Sequence, residues 1–193
     1  KRGVENTSGP LGQGHTMAVG AAIAEKFLTA RFGRLFEHRI YAYISDGGIQ
    51  EEISQGAGRL AGHLGLSNLV MFYDSNDIQL STETSAVTSE DTAAKYRAWG
   101  WRVMEIDGHN HDQIRGALRL AEDENEKPVL IIGKTVMGKG LVDDAGNSFE
   151  GKTSTHGQPV THAGGSFKKS VANLGGDPED PFAHCPVGGT PFR

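Results

Sequence analysis

The sequence predicts an α/β fold, a parallel sheet with helices on both faces. Helical and strand-like segments alternate along the chain, the second strand-like segment lacks the polar alternation of a half-exposed strand, and no repeat or low-complexity block interrupts the series. With 193 residues and 37% hydrophobic content, the chain is long enough for one such domain with a core of its own, plus a tail.

The elements follow in order. Residues 14–32 carry Ala, Met, Val, Ile, Phe and Leu at helical spacing, and residues 39–45, RIYAYIS, read as a short apolar and aromatic strand. Residues 50–65 are helical again, and residues 68–74, NLVMFYD, give a second strand. After an irregular stretch over 75–89, a helix near 90–98 leads to a strand over 101–106, WRVMEI. A helix over 111–124 precedes the strand 128–135, in the apolar run that starts at Lys127. Beyond residue 136 glycine rises and periodicity fades, which predicts a long loop to 165, a short helix near 166–174 and a linker-like Gly- and Pro-rich tail over 175–193.

Composition excludes several classes of function. The net charge is −5 and the Lys and Arg residues are scattered, so there is no electrostatic footprint for nucleic acid or an anionic membrane, and any anion site must be built locally. The single cysteine, Cys185, excludes an internal disulfide, and no CxxC pair points to zinc. There is no apolar run of spanning length and no signal-peptide core after Lys1, so the expectation is a soluble, cytoplasmic protein.

The chemistry concentrates where the first two strands end. The first runs into Ser45-Asp46-Gly47-Gly48, which places a carboxylate at the carboxyl edge of the sheet, where ligands of open α/β sheets bind. Gly47 and Gly48 let the backbone approach a ligand and open a helix whose N–H groups attract phosphate. A carboxylate beside an anion site implies a metal between them. The second strand ends in Tyr73-Asp74-Ser75-Asn76-Asp77-Ile78, which puts Asn76 30 residues after Asp46, room for one crossover helix and one strand. As parallel neighbours about 4.8 Å apart, the two strands would bring Asp46 and Asn76 together. Mg2+ takes about six hard oxygens: the Asp46 carboxylate, the Asn76 amide oxygen and a backbone carbonyl near Ile78 would supply part of the shell, with diphosphate oxygens and water completing it. Taken singly, Asp46 reads equally as a helix cap and Asn76 as a turn former; their joint spacing carries the argument.

SDGGIQ followed by SND resembles the thiamine diphosphate motif, and the stretch from Thr7 to Gly157 resembles transketolase. TSGPLGQGHTMAVGAAIAE, the DGGIQ segment through AGHLGL to SNDI, YRAWGW, GKTVMGKG and STHGQP stand in that family's order. GPLGQG, AGHLGL and the late His-Gly pair single out transketolase among thiamine enzymes. The sequence departs from the pattern at Ser45, in place of the first Gly of GDG, at Asp77, where other thiamine enzymes have a second Asn, and at Glu52, where many transketolases have a small residue.

The resemblance implies roles. Asp46, Asn76 and the Ile78 carbonyl would ligate Mg2+, with Ca2+ able to replace it. Gly47 and Gly48 would approach the diphosphate, and Gly9 and Leu11 would touch the aminopyrimidine. His156 would face the thiazolium carbon and the substrate oxygen, a place suited to proton transfer. Glu51 would lie at a subunit interface. His63, on an apolar helix background, reads as packing, and His109-Asn110-His111 as a capped helix start rather than a metal site.

The implied reaction is transfer of a two-carbon ketol unit from a ketose phosphate to an aldose phosphate, with sugar phosphates as substrates and a pyrimidine-binding domain, in cis or from a dimer mate, as partner. Residues 1–165 would be the diphosphate-binding domain without its leading segment, and 166–193 a C-terminal helix and tail. The chain alone is expected to be incomplete and inactive. A dihydroxyacetone synthase, a deoxyxylulose-phosphate synthase and a non-catalytic diphosphate-binding module are the alternatives.

Overall fold

The computed structural model describes residues 4–182, so Cys185 and the end of the predicted tail lie outside the described residues. The chain forms two compact units. One comprises the described chain up to Asp77 together with Thr84–Thr135; the other comprises Ile78–Glu83 and the chain from Val136 on.

The first unit holds the predicted sheet. Its elements are α1 (Gln13–Phe32), β1 (Ile40–Ser45), α2 (Asp46–Gln50), α3 (Glu52–His63), β2 (Leu69–Ser75), α4 (Thr92–Ala98), β3 (Arg102–Asp107), α5 (His111–Glu122) and β4 (Val129–Lys134). The strands are all parallel in the order β1-β2-β4-β3. Helices therefore serve as crossovers, and every strand tip with its carboxyl end points to one edge.

One face of the sheet packs against α1, α3 and α4. Its core joins Val19 and Ala22 of α1, Ala57 and Ala61 of α3 and Tyr96 of α4 to Ile44, Met71, Tyr73 and Ile132 of the strands. On the other face Ala117 and Ala121 of α5 meet Val70, Val129 and Ile131. Tyr41 and Tyr43 of β1 point to this second side and stay exposed. α4 and α5 start on side-chain caps: Asp91 accepts from the Ala94 N–H, and Asn110 accepts from the Asp112 and Gln113 N–H groups. Asn110 thus behaves as its sequence context predicts.

Two expectations need correction. The helix predicted over 50–65 is α3, but a separate short helix precedes it: α2 begins at Asp46, directly after β1, and Glu51 takes an extended ψ of 132° that ends α2 and opens α3. Periodicity could not reveal this, because a single extended residue resets the helix axis without changing the apolar spacing. His63 is exposed rather than packed, since it is the last residue of α3 and the buried stripe of that helix runs through Ser54, Ala57, Gly58 and Ala61. In AGHLGL it is the neighbouring Gly62 that packs: a Cβ there would stand 1.9 Å from the Trp99 carbonyl oxygen.

The second unit contains less regular structure. Ile78–Glu83 is a tight hairpin in which Ile78 bridges Glu83 and the Gln79 N–H donates to the Thr82 carbonyl at 3.0 Å. The predicted loop after 136 carries a bridge between Val142 and Ser148 and a single 3-10 turn, Thr153–Thr155. The last helix, α6 (Phe167–Asn173), is anchored by Ser170, whose hydroxyl accepts from the Val142 N–H at 3.0 Å. No helix among the described residues is long and apolar enough to cross a membrane.

Candidate functional site

The site of the first unit grows from the β1 and β2 tips. Register pairs Ser45 with Asp74, so the residues following each strand emerge side by side. Asp46 is the first residue of α2 and is only 1% exposed. Its carboxylate accepts from the Tyr73 hydroxyl at 2.7 Å on Oδ1 and from the Asn76 backbone N–H at 3.0 Å on Oδ2. The structure thus brings residues 46 and 76 together across a 30-residue separation.

Burial pushes the Asp46 carboxyl above its ordinary value, since desolvation penalises the charged form. The two hydrogen bonds work against that shift, and the negative charges of Asp77 and Asp74 reinforce it. An anion kept in such a place gains from a cation. The Asp46 carboxylate is a hard oxygen donor, of the kind that suits Mg2+ or Ca2+ rather than softer metals. Among the described residues no three His, Cys, Asp or Glu side chains gather, so an ion here would take most of its shell from uncharged oxygens and from a ligand.

The GPLGQG turn closes on this tip. Gly12 has φ +82°, and a Cβ there would stand 2.5 Å from Ile53 Cγ2 at the start of α3; only glycine fits. Leu11 Cδ1 lies 3.3 Å from the position a Cβ would take on Gly47, which puts the turn and the glycine pair in contact. Gly9 is exposed, with open space around it. Gly48 is buried against Ile44, Ser45 and His15. Glu51 is exposed at the α2–α3 junction, and its carbonyl accepts from the Gln55 N–H at 3.1 Å.

Three side chains at this edge escape a reading of the sequence. His15 is buried and shares a 2.5 Å hydrogen bond with Ser54 between Nδ1 and Oγ; burial lowers its pKa from 6.5 to about 4, so the imidazole is neutral. Tyr73 reaches Asp46, as described. Tyr43 donates to Asp74 Oδ2 at 2.6 Å, and the Thr135 hydroxyl donates to Oδ1 of the same carboxylate. The strand period held a signal for Tyr73, which falls on the same face as Leu69 and Met71. A cavity of about 370 Å³ opens beside it, lined by Gln50, Ser75, Asp77, Thr88 and Lys134 among others.

Ile78 and His156 belong to the second unit. Ile78 is buried and opens the hairpin. His156 follows the 3-10 turn, with its N–H on the Thr153 carbonyl at 3.1 Å. Its Nδ1 is buried and meets no hydrogen-bond partner among the described residues.

Comparison with known proteins agrees with this architecture. Residues 1–186 match the family model described as transketolase, thiamine diphosphate binding domain. Transketolase 1 of Pasteurella multocida is 44% identical over 163 residues, which cover 82% of this chain and 24% of that protein. Transketolase 2 of Xanthobacter flavus is 40% identical over 192 residues, 94% of this chain and 27% of that protein. The solved transketolase of Campylobacter jejuni superposes with a TM-score of 0.81 at 37% identity, covering 91% of this chain and 27% of that one. That of Pichia stipitis in complex with sedoheptulose-7-phosphate superposes with a TM-score of 0.83 at 32% identity, covering 94% and 26%. The chain spans about a quarter of the length of the relatives it matches. It belongs to the transketolase family, to which it contributes the thiamine diphosphate binding domain.

Proposed function

We propose that this chain forms the diphosphate-binding part of a transketolase that moves a two-carbon ketol unit from a ketose phosphate to an aldose phosphate, using Mg2+ and thiamine diphosphate. The observation that supports this most is the contact of residues 46 and 76 at the carboxyl edge, where Asn76 N–H donates to Asp46 Oδ2 at 3.0 Å. The solved Pichia stipitis relative with sedoheptulose-7-phosphate makes sugar phosphates the natural substrate class.

When bound, thiamine diphosphate supplies the electron sink for the carbanion. The chain's own residues do the rest. Asp46, the Asn76 amide and the Ile78 carbonyl would hold Mg2+, whose charge would offset that of the diphosphate. Gly47 and Gly48 would present backbone N–H groups to the diphosphate at the start of α2, and Gly9 and Leu11 would bear on the aminopyrimidine. His156 holds or moves a proton at the substrate oxygen. Glu51, exposed at the α2–α3 junction, meets the pyrimidine-binding domain, supplied in cis or by a dimer mate.

Titration calorimetry with thiamine diphosphate, with and without Mg2+, tests the reading: binding that requires the ion is expected. Binding of ATP with thiamine diphosphate ignored would overturn it in favour of a non-catalytic module. Donor assays on the complete enzyme, with ketose phosphates against pyruvate, separate transketolase from a deoxyxylulose-phosphate synthase.

A further inference from the structure

We infer, resting on the function proposed above, that Tyr73 is a positioning residue: its phenol fixes the Asp46 carboxylate in one orientation before a divalent ion arrives. Asp46 starts a helix of only five residues that contains Gly47 and Gly48. Glycines are poor helix formers, so α2 by itself controls the direction of its first side chain weakly. Control comes from β2 instead. The buried Tyr73 ring sits in the core with Ile44, Ile49 and Met71, and its hydroxyl reaches Oδ1 at 2.7 Å. The Asn76 N–H holds Oδ2 at 3.0 Å.

With a donor on each oxygen, rotation about the Cβ–Cγ bond is blocked. Each carboxylate oxygen has two lone pairs, so one donor apiece still leaves room for an ion. The outer partners of a metal ligand matter in this way because they aim it. Mg2+ demands near-ideal octahedral geometry, whereas Ca2+ accepts variable ligand numbers and angles. Loss of the phenol should therefore weaken Mg2+ more than Ca2+, a selectivity that a merely looser fold would not produce.

The test uses the complete enzyme carrying Tyr73→Phe, with wild type and Tyr43→Phe beside it. MgCl2 and CaCl2 are titrated in the presence of thiamine diphosphate, and binding is read by calorimetry. The expected result is an Mg2+ affinity about 10-fold weaker in Tyr73→Phe, a Ca2+ affinity changed by less than about 3-fold, and no change in Tyr43→Phe. Equal losses for both ions, or an Mg2+ affinity unchanged or tightened, would overturn the positioning role. Wild type without ion-dependent binding would instead sink the function on which the inference rests. Phenylalanine keeps the ring, and melting of the unloaded variant checks the fold. Should that variant not fold, difluorotyrosine at position 73 keeps the ring and alters only the donor: a shifted Mg2+ to Ca2+ ratio supports the inference and an unshifted one overturns it.

Discussion

Two aspartates stand next to each other at the carboxyl edge of the sheet, and each accepts a hydrogen bond from a tyrosine of the neighbouring strand. Tyr73 of β2 reaches Asp46 beyond the end of β1, and Tyr43 of β1 reaches Asp74 in β2. The bond lengths are alike, 2.7 and 2.6 Å. The surroundings are not: Asp46 is buried under the face carrying α1 and α3, whereas Tyr43 is 68% exposed on the side that α5 leaves open over β1. The alternation of side chains along a strand puts the two pairs on opposite faces. A hydrogen bond to a desolvated carboxylate has no water to replace it, and one at the surface does. The same pairing thus builds a site on one face and trims an edge on the other.

Removing the acids separates the two pairs most. Asp46→Ala is expected to weaken Mg2+-dependent cofactor binding at least about 100-fold, and Asp74→Ala by less than about 5-fold, by calorimetry. His156→Ala serves as the counter-case, with binding kept and turnover of the assembled enzyme slowed; equal loss of binding in Asp46→Ala and His156→Ala would contradict the role proposed for His156.

A second effect concerns the buried side alone. His15 has a folded pKa of about 4 against an ordinary 6.5, so between those values the folded chain binds fewer protons than the unfolded one. Its contribution is complete above pH 6.5 and is lost as pH falls toward 4, up to about 3 kcal/mol. Asp46, raised by burial, tilts the opposite way: its folded form binds the extra proton, so the ligand-free chain loses stability as pH rises above the ordinary carboxylate range. Denaturant melts of His15→Gln against wild type from pH 7 to pH 4 isolate the histidine; parallel curves would remove it from the account.

The tyrosines should differ more modestly. Tyr73→Phe leaves a buried carboxylate short of a donor and is expected to lower the stability of the ligand-free protein by about 1–3 kcal/mol. Tyr43→Phe removes the matching bond at the surface and should change it by less than about 0.5 kcal/mol. Equal values in thermal melts would show that burial is not what separates the two pairs.

Most of the architecture could be read from residues. Largely apolar segments over 39–45, 68–74, 101–106 and 128–135, with helical segments between them, leave little but a parallel sheet. Asp46 and Asn76 were legible for the same reason, since a strand that ends in an acid and glycines aims them at the ligand-binding edge. The break at Glu51 was not, because it depends on one dihedral angle. Nor were Tyr73 and Tyr43, whose partners lie 27 and 31 residues away and become neighbours only once the register between β1 and β2 is fixed. His15 was hidden by company: on a helix of Ala, Val and Ile it looks like any polar interruption, until Ser54 and Gly48 close around it.

Helix α2 starts at the residue directly after β1, with no connecting residue between them. An insertion between Ser45 and Asp46 would therefore turn the acid toward a different side, taking it from both of its donors at once. Deletion of Ser45 would do the same in the other direction. Protein engineers wishing to graft this edge onto another sheet must carry the junction across as one indivisible piece, whatever freedom they take with the helices behind it.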